Sequence, residues 1–212
     1  MIYLIYFTKT IIQESKMKNK IYIGLVMLAV LTLAFTNISY ADQAEQDQQK
    51  MMEAYMKMMA VTENHLYLKD FVGEWDVQTT AWMQPGMDPA ITHGSGKAEL
   101  IMGGRYLKLN FTGTMMAQPF EGLQIIGYDN LKEKYISFWI DNSGTAFYLT
   151  EGVRDKNVVT EMGEWPDPVT GGTQKVKMVT TLVSDDEYVL EMFMIIGAGE
   201  FKSLENRATR KK

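Results

Sequence analysis

The chain has 212 residues and a formal charge of −5, with no Cys, two His and 17 Met. An acidic chain without a long basic run argues against nucleic acid and against anionic membrane surfaces as partners. The lack of Cys excludes disulfides, thiolate metal sites and a Cys nucleophile.

Met17-Lys18-Asn19-Lys20 forms a short basic segment, and residues 21–35 are an apolar run without charge. Ser39-Tyr40-Ala41 then places small residues at −3 and −1 of a cleavage site, which is the pattern of a secretory signal peptide. The run is shorter than the ~20 residues a spanning helix needs. The only membrane association expected is through an uncleaved signal segment. Residues 1–16 precede a second start at Met17, either as an over-extended gene start or as a long leading region. Residues 1–41 carry four Lys and one Glu, so the remaining 171 would carry −8. The expected location is periplasmic or secreted, and such a chain must hold its fold by core alone.

Residues 42–62 read as a Met-rich helix and linker. Met52, Tyr55, Met56 and Met59 fall at i, i+3, i+4 and i+7, giving one apolar face. Together with Met51 and Met58 this cluster suits either packing at adaptable apolar contacts or soft thioether ligation of Cu(I). Thr62-Glu63-Asn64-His65 breaks the helix, and Leu66 to Phe71 reads as a short helical turn in which His65 caps or hydrogen-bonds the entry segment.

From Val72 onward the periodicity switches from helical to alternating. Trp75, Val77 and Thr79 alternate with polar residues, and about ten β-type runs follow between Trp75 and Thr209. Turn residues such as Pro85-Gly86, Asp129-Asn130, Asn142-Ser143-Gly144, Ser184-Asp185-Asp186 and Gly197-Ala198-Gly199 separate them. No segment of crossover-helix length intervenes, so the strands are antiparallel. A meander this long closes on itself or leaves edges exposed. The expected fold is all-β, an antiparallel up-and-down barrel of about ten strands over residues 63–212, with a β-sandwich as the alternative.

Several blocks carry a resemblance. They are His65 to Trp75, Gly103-Gly104-Arg105-Tyr106-Leu107, Pro119-Phe120-Glu121-Gly122, Gly127-Tyr128-Asp129, Phe138-Trp139-Ile140-Asp141, Asp167-Pro168-Val169-Thr170-Gly171, and Phe201-Lys202 through Arg210. In this order, over about Glu63 to Arg210, they resemble the domain of unknown function 1579 family of bacterial proteins. The resemblance implies a lipocalin-like barrel and no established activity. A Gly-x-Trp step with a late Arg also resembles the lipocalin end-closure. It implies that Gly73, Trp75 and Arg210 shut one end, with Arg207 as the competing cation. Ligand would then enter from the opposite end. Asn206 and Ala208 depart from the family, where β-branched and aromatic residues are expected.

The candidate ligand-binding residues are Arg105, Tyr128, Trp139, Asp141 and Glu151. Arg105 either leaves a glycine turn or presents its fork to a carboxylate of a ligand, of Asp141 or of Glu151. Tyr135, Trp139 and Asp141 share one strand face, so they form either core or an aromatic and carboxylate lining of a pocket. Asp141 with Glu151, or Asp129 with Glu121, could form a carboxylate pair for general acid–base work. No Ser-His-Asp order or phosphate-cradling loop is present, and two isolated His do not make a zinc site. No catalytic residue, metal ligand or cofactor is assigned. The expected partner is a small, partly apolar molecule held in the barrel. The alternatives are a carboxylate-dependent enzyme on the same barrel, or a packed interaction module.

Overall fold

In the computed structural model, residues 43–168 and 170–212 are described, together with helical residues 18–20, 22, 25, 27 and 28. The signal-peptide assignment therefore falls almost wholly outside the described residues. No helix among them is long and apolar enough to cross a membrane. Two compact units divide the chain, Met1–Met56 and Lys57–Lys212. Residues 43–59 are helical (α1), and the last turn of this helix belongs to the second unit.

Ten antiparallel strands make up the second unit: β1 (Gly73–Ala81), β2 (Ala90–Ile101), β3 (Tyr106–Met115), β4 (Gln118–Asp129), β5 (Lys134–Asp141), β6 (Tyr148–Asp155), β7 (Val158–Pro166), β8 (Thr173–Ser184), β9 (Glu187–Ile196) and β10 (Gly199–Arg210). Each pairs with its sequence neighbours, and β10 pairs with β1 to close the barrel, which removes the sandwich alternative. The alternation of side chains across each strand supplies the inner and outer walls. Bulges at Ser203 and Val183 shift the register of β10 and β8 against β9. The sequence places the second run at 94–102 and the sixth at 145–152, and the structure moves both; the other strands start within two residues of their expected runs. β2 starts at Ala90, drawn back by its pairing with Ala81. β6 starts at Tyr148, because Asp141 and Asn142 turn the chain through their side chains.

One end of the barrel is plugged by the entry segment, a helical turn α2 (Glu63–Leu66) running into a 3₁₀ turn (Tyr67–Phe71). The amide of Thr62 donates to Nδ1 of His65 at 3.1 Å. The ring nitrogen therefore accepts, and burial pushes the His65 pKa down. Tyr67, Leu68 and Phe71 point up into the core. From His65 a run of edge-on aromatic contacts passes through Tyr128, Tyr135, Tyr67, Phe71 and Tyr188 to Trp75, the geometry that ring quadrupoles favour. Tyr135 donates to the backbone oxygen of Asn64 at 2.9 Å, and Arg154 sits 4.3 Å over Tyr67.

Trp75 is fully buried, and its indole N–H donates to the Phe71 carbonyl at 2.9 Å. The register of β1 on β10 sets Trp75 opposite Arg210, whose guanidinium lies 4.2 Å over the indole. Its three nitrogens donate to the carbonyls of Val72, Asp70 and Asp185. Gly73 makes room for this: its φ is +135°, and a Cβ there would meet an Arg210 nitrogen at 2.6 Å. Arg207 instead faces outward, paired with Glu187 and Glu205. The two departures on β10 both point inward. Asn206 accepts from the Thr79 hydroxyl at 2.7 Å, and Ala208 is fully buried between Val77 and Tyr188 in the ladder.

Replacing Arg210 removes a cation–π contact and three charge-assisted bonds. Arg210→Ala is expected to cost about 2–4 kcal/mol, measured by urea unfolding followed through tryptophan fluorescence. Arg210→Lys should recover less than half of the loss, because a single ammonium cannot reach three carbonyls as a fork does. Full recovery with Lys would show that charge alone closes the end.

Candidate functional site

Above the plug the barrel is not filled. A cavity of about 420 Å³ runs to the opposite end. Its lower wall is apolar, with Val77, Leu107, Leu109 and Val159. Its upper wall is aromatic, with Phe111, Phe120, Trp139, Tyr148 and Trp165. Phe120 stacks near Trp139 with centroids 6.4 Å apart, and Tyr148 meets Trp165 edge-on at 4.9 Å. The Trp165 indole N–H is buried without a hydrogen-bond partner among the described residues. Exposed apolar side chains rim this end: Met83 and Met87 between β1 and β2, Met116 at the β3–β4 turn, Phe147 before β6 and Ile196 at the end of β9.

Trp139 and Asp141, expected to share a face, both line the cavity. The Trp139 ring packs against Gly122 on β4, where a Cβ would come within 2.2 Å of the indole. Its N–H donates to Oδ2 of Asp141 at 2.7 Å. The other carboxylate oxygen, Oδ1, accepts from the Ser143 amide at 2.9 Å and from its hydroxyl. The indole and the β5–β6 turn thus fix the carboxylate at the mouth.

The other three candidates lie elsewhere. Arg105 follows a turn in which Met102, Gly103 and Gly104 all have positive φ, at the plugged end. It donates to the carbonyls of Met59 and Met102, not to a carboxylate. Asn130 joins it by donating to the carbonyls of Lys57 and Ala60 at 2.8 and 2.7 Å. Together they satisfy the carbonyls that end α1, where a cation also suits the helix dipole. Tyr128 belongs to the aromatic plug. Glu151 faces outward between Lys134 and Lys132, both at 2.9 Å, and these hold its carboxyl down to about 2. Neither expected carboxylate pair forms. Asp129 caps the β4–β5 turn by accepting from the amides of Leu131 and Lys132, and Glu121 is exposed.

The sequence reading passed over the cavity's most unusual group. Ser137, Thr150 and Glu161 stand on adjacent strands β5, β6 and β7, each at most 5 % exposed, with Gln124 close to this level on β4. The Ser137 hydroxyl donates to Oε1 of Glu161 at 2.7 Å. No Lys, Arg or His among the described residues lies within 4 Å of the carboxyl. Burial raises its pKa to about 7, against the lowering effect of bonds from Ser137 and Thr150. A signal was available in the alternation Val159, Glu161, Gly163, Trp165, which puts Glu161 on the inner face. Outward-facing Met162, 45 % exposed, hides it by inverting the usual hydropathy. Among the described residues no three His, Asp or Glu are grouped to hold a metal ion.

Two outcomes follow. Glu161 keeps its proton in the folded state up to about pH 7, whereas in the unfolded chain it loses it near 4.5. Its contribution to stability is therefore full below about 4.5 and declines as pH rises through about 7, by about 3 kcal/mol in all. Glu161→Gln should be stabilising at pH 8 and near neutral at pH 4.5, read by urea unfolding across the range. His65 works in the opposite sense: its lowered pKa makes the folded state lose stability as pH falls below about 6.5, so the Gln variant should retain that acid limb. Gly122→Ala should displace Trp139 and break its bond to Asp141, seen as a changed near-ultraviolet circular dichroism spectrum with little change in strand content.

Residues 60–210 match the family model described as protein of unknown function (DUF1579), and the chain belongs to that family. No curated protein matches it. Among solved structures it is similar to Rv2717c from M. tuberculosis, at 12 % identity and a TM-score of 0.52, covering 72 % of this chain and 100 % of that one. It is also similar to a redesigned β-barrel, at 14 % identity and a TM-score of 0.39, covering 69 % of this chain and 96 % of the design. At 12 % identity the likeness to Rv2717c concerns the fold alone.

Proposed function

We propose that this member of the DUF1579 family is an exported binding protein. Its ligand is a small, largely apolar molecule that enters at the end opposite Arg210. The observation that carries this reading is the cavity: about 420 Å³, with apolar and aromatic walls and a few convergent polar groups. That combination and size are those of small-molecule sites, which span about 300–1,000 Å³. Stability alone would favour a barrel packed to the density of a protein interior, without the buried Glu161. The unfilled space counts against the packed interaction module. The pattern over Met17–Ala41 supports export.

Trp139 and Asp141 hold the mouth, and Gln124, Ser137, Thr150 and Glu161 supply the polar contacts deeper in. Arg105 and Glu151 take no part, being committed to the α1 end and to two lysines. A carboxylate-dependent enzyme is the second reading. What favours it is Glu161, whose pKa of about 7 suits a group that gives and takes protons near neutrality.

Titration of the full chain with the neutral fluorophore N-phenyl-1-naphthylamine tests the binding function. The expected result is saturable enhancement at one site per chain. Leu190→Trp, which adds bulk to the cavity wall, should weaken it about ten-fold with the fold retained by circular dichroism. Equal binding to the filled variant would place the dye outside the barrel and overturn the reading.

A further inference from the structure

We propose that the cavity selects a cationic ligand, a protonated amine on an apolar body, whose ammonium group is received by the Glu161 carboxylate. This rests on the reading of the cavity as a small-molecule site and specifies the ligand class. The first support is the sign of the charge in the lining. Among the described residues that line the cavity, the ionisable carboxyl groups are those of Asp141 and Glu161, and there is no Lys, Arg or His. From residue 73 onward most lysines are paired on the outside with glutamates or an aspartate, as Lys202 is with Glu191 and Glu205 and Lys132 with Glu151. The barrel therefore pairs its outer charges and leaves its inner carboxylates unmatched. An anionic ligand would meet two like charges in a medium of low dielectric.

The second support is what each carboxylate still lacks. Asp141 already accepts three hydrogen bonds, from Trp139 and twice from Ser143. Among the described residues, Glu161 has hydroxyl donors from Ser137 and Thr150 only. A carboxylate offers about four lone-pair sites, so Glu161 retains capacity directed at the cavity. A buried carboxylate without a cation is costly, and a ligand ammonium would supply the missing charge. The third support is the aromatic upper wall. Trp139, Phe120, Tyr148 and Trp165 present ring faces and edges along the route from the mouth, and the faces of such rings attract cations. The other titratable groups sharing the cavity are Asp141 on β5 and the phenols of Tyr67, Tyr135, Tyr148 and Tyr188. None of them offers a cation to Glu161. Since burial holds the Glu161 proton to about pH 7, ammonium binding should release that proton and strengthen as pH rises.

Three probes with one body separate the possibilities: 4-phenylbutylamine, 4-phenylbutan-1-ol and 4-phenylbutanoate, titrated calorimetrically into the full chain. At about pH 8 the amine should bind about ten-fold more tightly than the alcohol, with the carboxylate weakest. Lowering the pH to about 5.5 should shrink the preference for the amine over the alcohol, because Glu161 is then protonated while the amine stays charged. Glu161→Gln should abolish that preference at pH 8. If the alcohol binds as tightly as the amine at pH 8, the ligand class is wrong while the binding function stands. If the preference survives in Glu161→Gln or is unchanged at low pH, Glu161 is not the receiving group and the assignment falls. Failure of all three probes to bind would count against the cavity reading itself.

Discussion

The seam between the first and last strands governs this molecule. Arg210 closes it by covering Trp75 and by tying three carbonyls, from the entry segment and from the β8–β9 turn, to one planar cation. The contact is possible because Gly73 adopts a conformation that L side chains resist and lacks the Cβ that would occupy the guanidinium's space. The position of the plug follows from it. With Val72 and Asp70 held, Phe71, Leu68 and Tyr67 turn up into the barrel and find Trp75, Tyr188 and Tyr135. Among the described residues, the three largest fully buried side chains, Trp75, Tyr135 and Leu68, lie at this end. The other end carries aromatic walls around open space, so closure at one pole and a cavity at the other arise from a single uneven distribution of bulk.

That distribution carries a cost, and the cost is informative. A barrel selected for stability alone would place apolar side chains where Ser137, Thr150 and Glu161 stand. Here three buried polar groups sit together on neighbouring strands, one of them a carboxyl whose ionisation works against folding. Gly122, too, gives up a side chain, leaving the space in which the Trp139 indole packs and reaches Asp141. The features that weaken the core all face the same volume.

Much of the fold was legible because two-residue alternation and turn chemistry are local properties. β3, β7, β8 and β9 follow from their own residues, and antiparallel closure follows from short connections and from the burden of open edges. The plug was legible in part, since His65 to Phe71 carries a helical spacing of apolar groups. The site was less so. Trp139 and Asp141 are two residues apart on one strand, and their shared face is a matter of period. For Arg105 the sequence leaves both readings open, because its acceptor, the Met59 carbonyl, lies 46 residues upstream, and nothing local distinguishes a helix-ending Arg from one offered to a ligand. Glu151 was misread for a similar reason, as its lysines come from the β4–β5 turn and β5. Glu161 lay within reach of the alternation rule but was masked by an exposed Met beside it.

The seam joins the first and last strands of the barrel, with Trp75 and Arg210 more than a hundred residues apart in the chain. During synthesis every strand from β2 to β9 can pair with the one before it as it emerges. β1 meanwhile keeps a bare edge until β10 arrives, and β9 presents a second one. The chain has no disulfide to hold an unfinished barrel. Any product ending before β10 therefore carries two open ladders and an indole without its guanidinium cover, the features that seed aggregation. Completing the last strand marks the change from an association-prone intermediate to a protein whose barrel has no free edge, and the chain's tolerance of premature ends is correspondingly small.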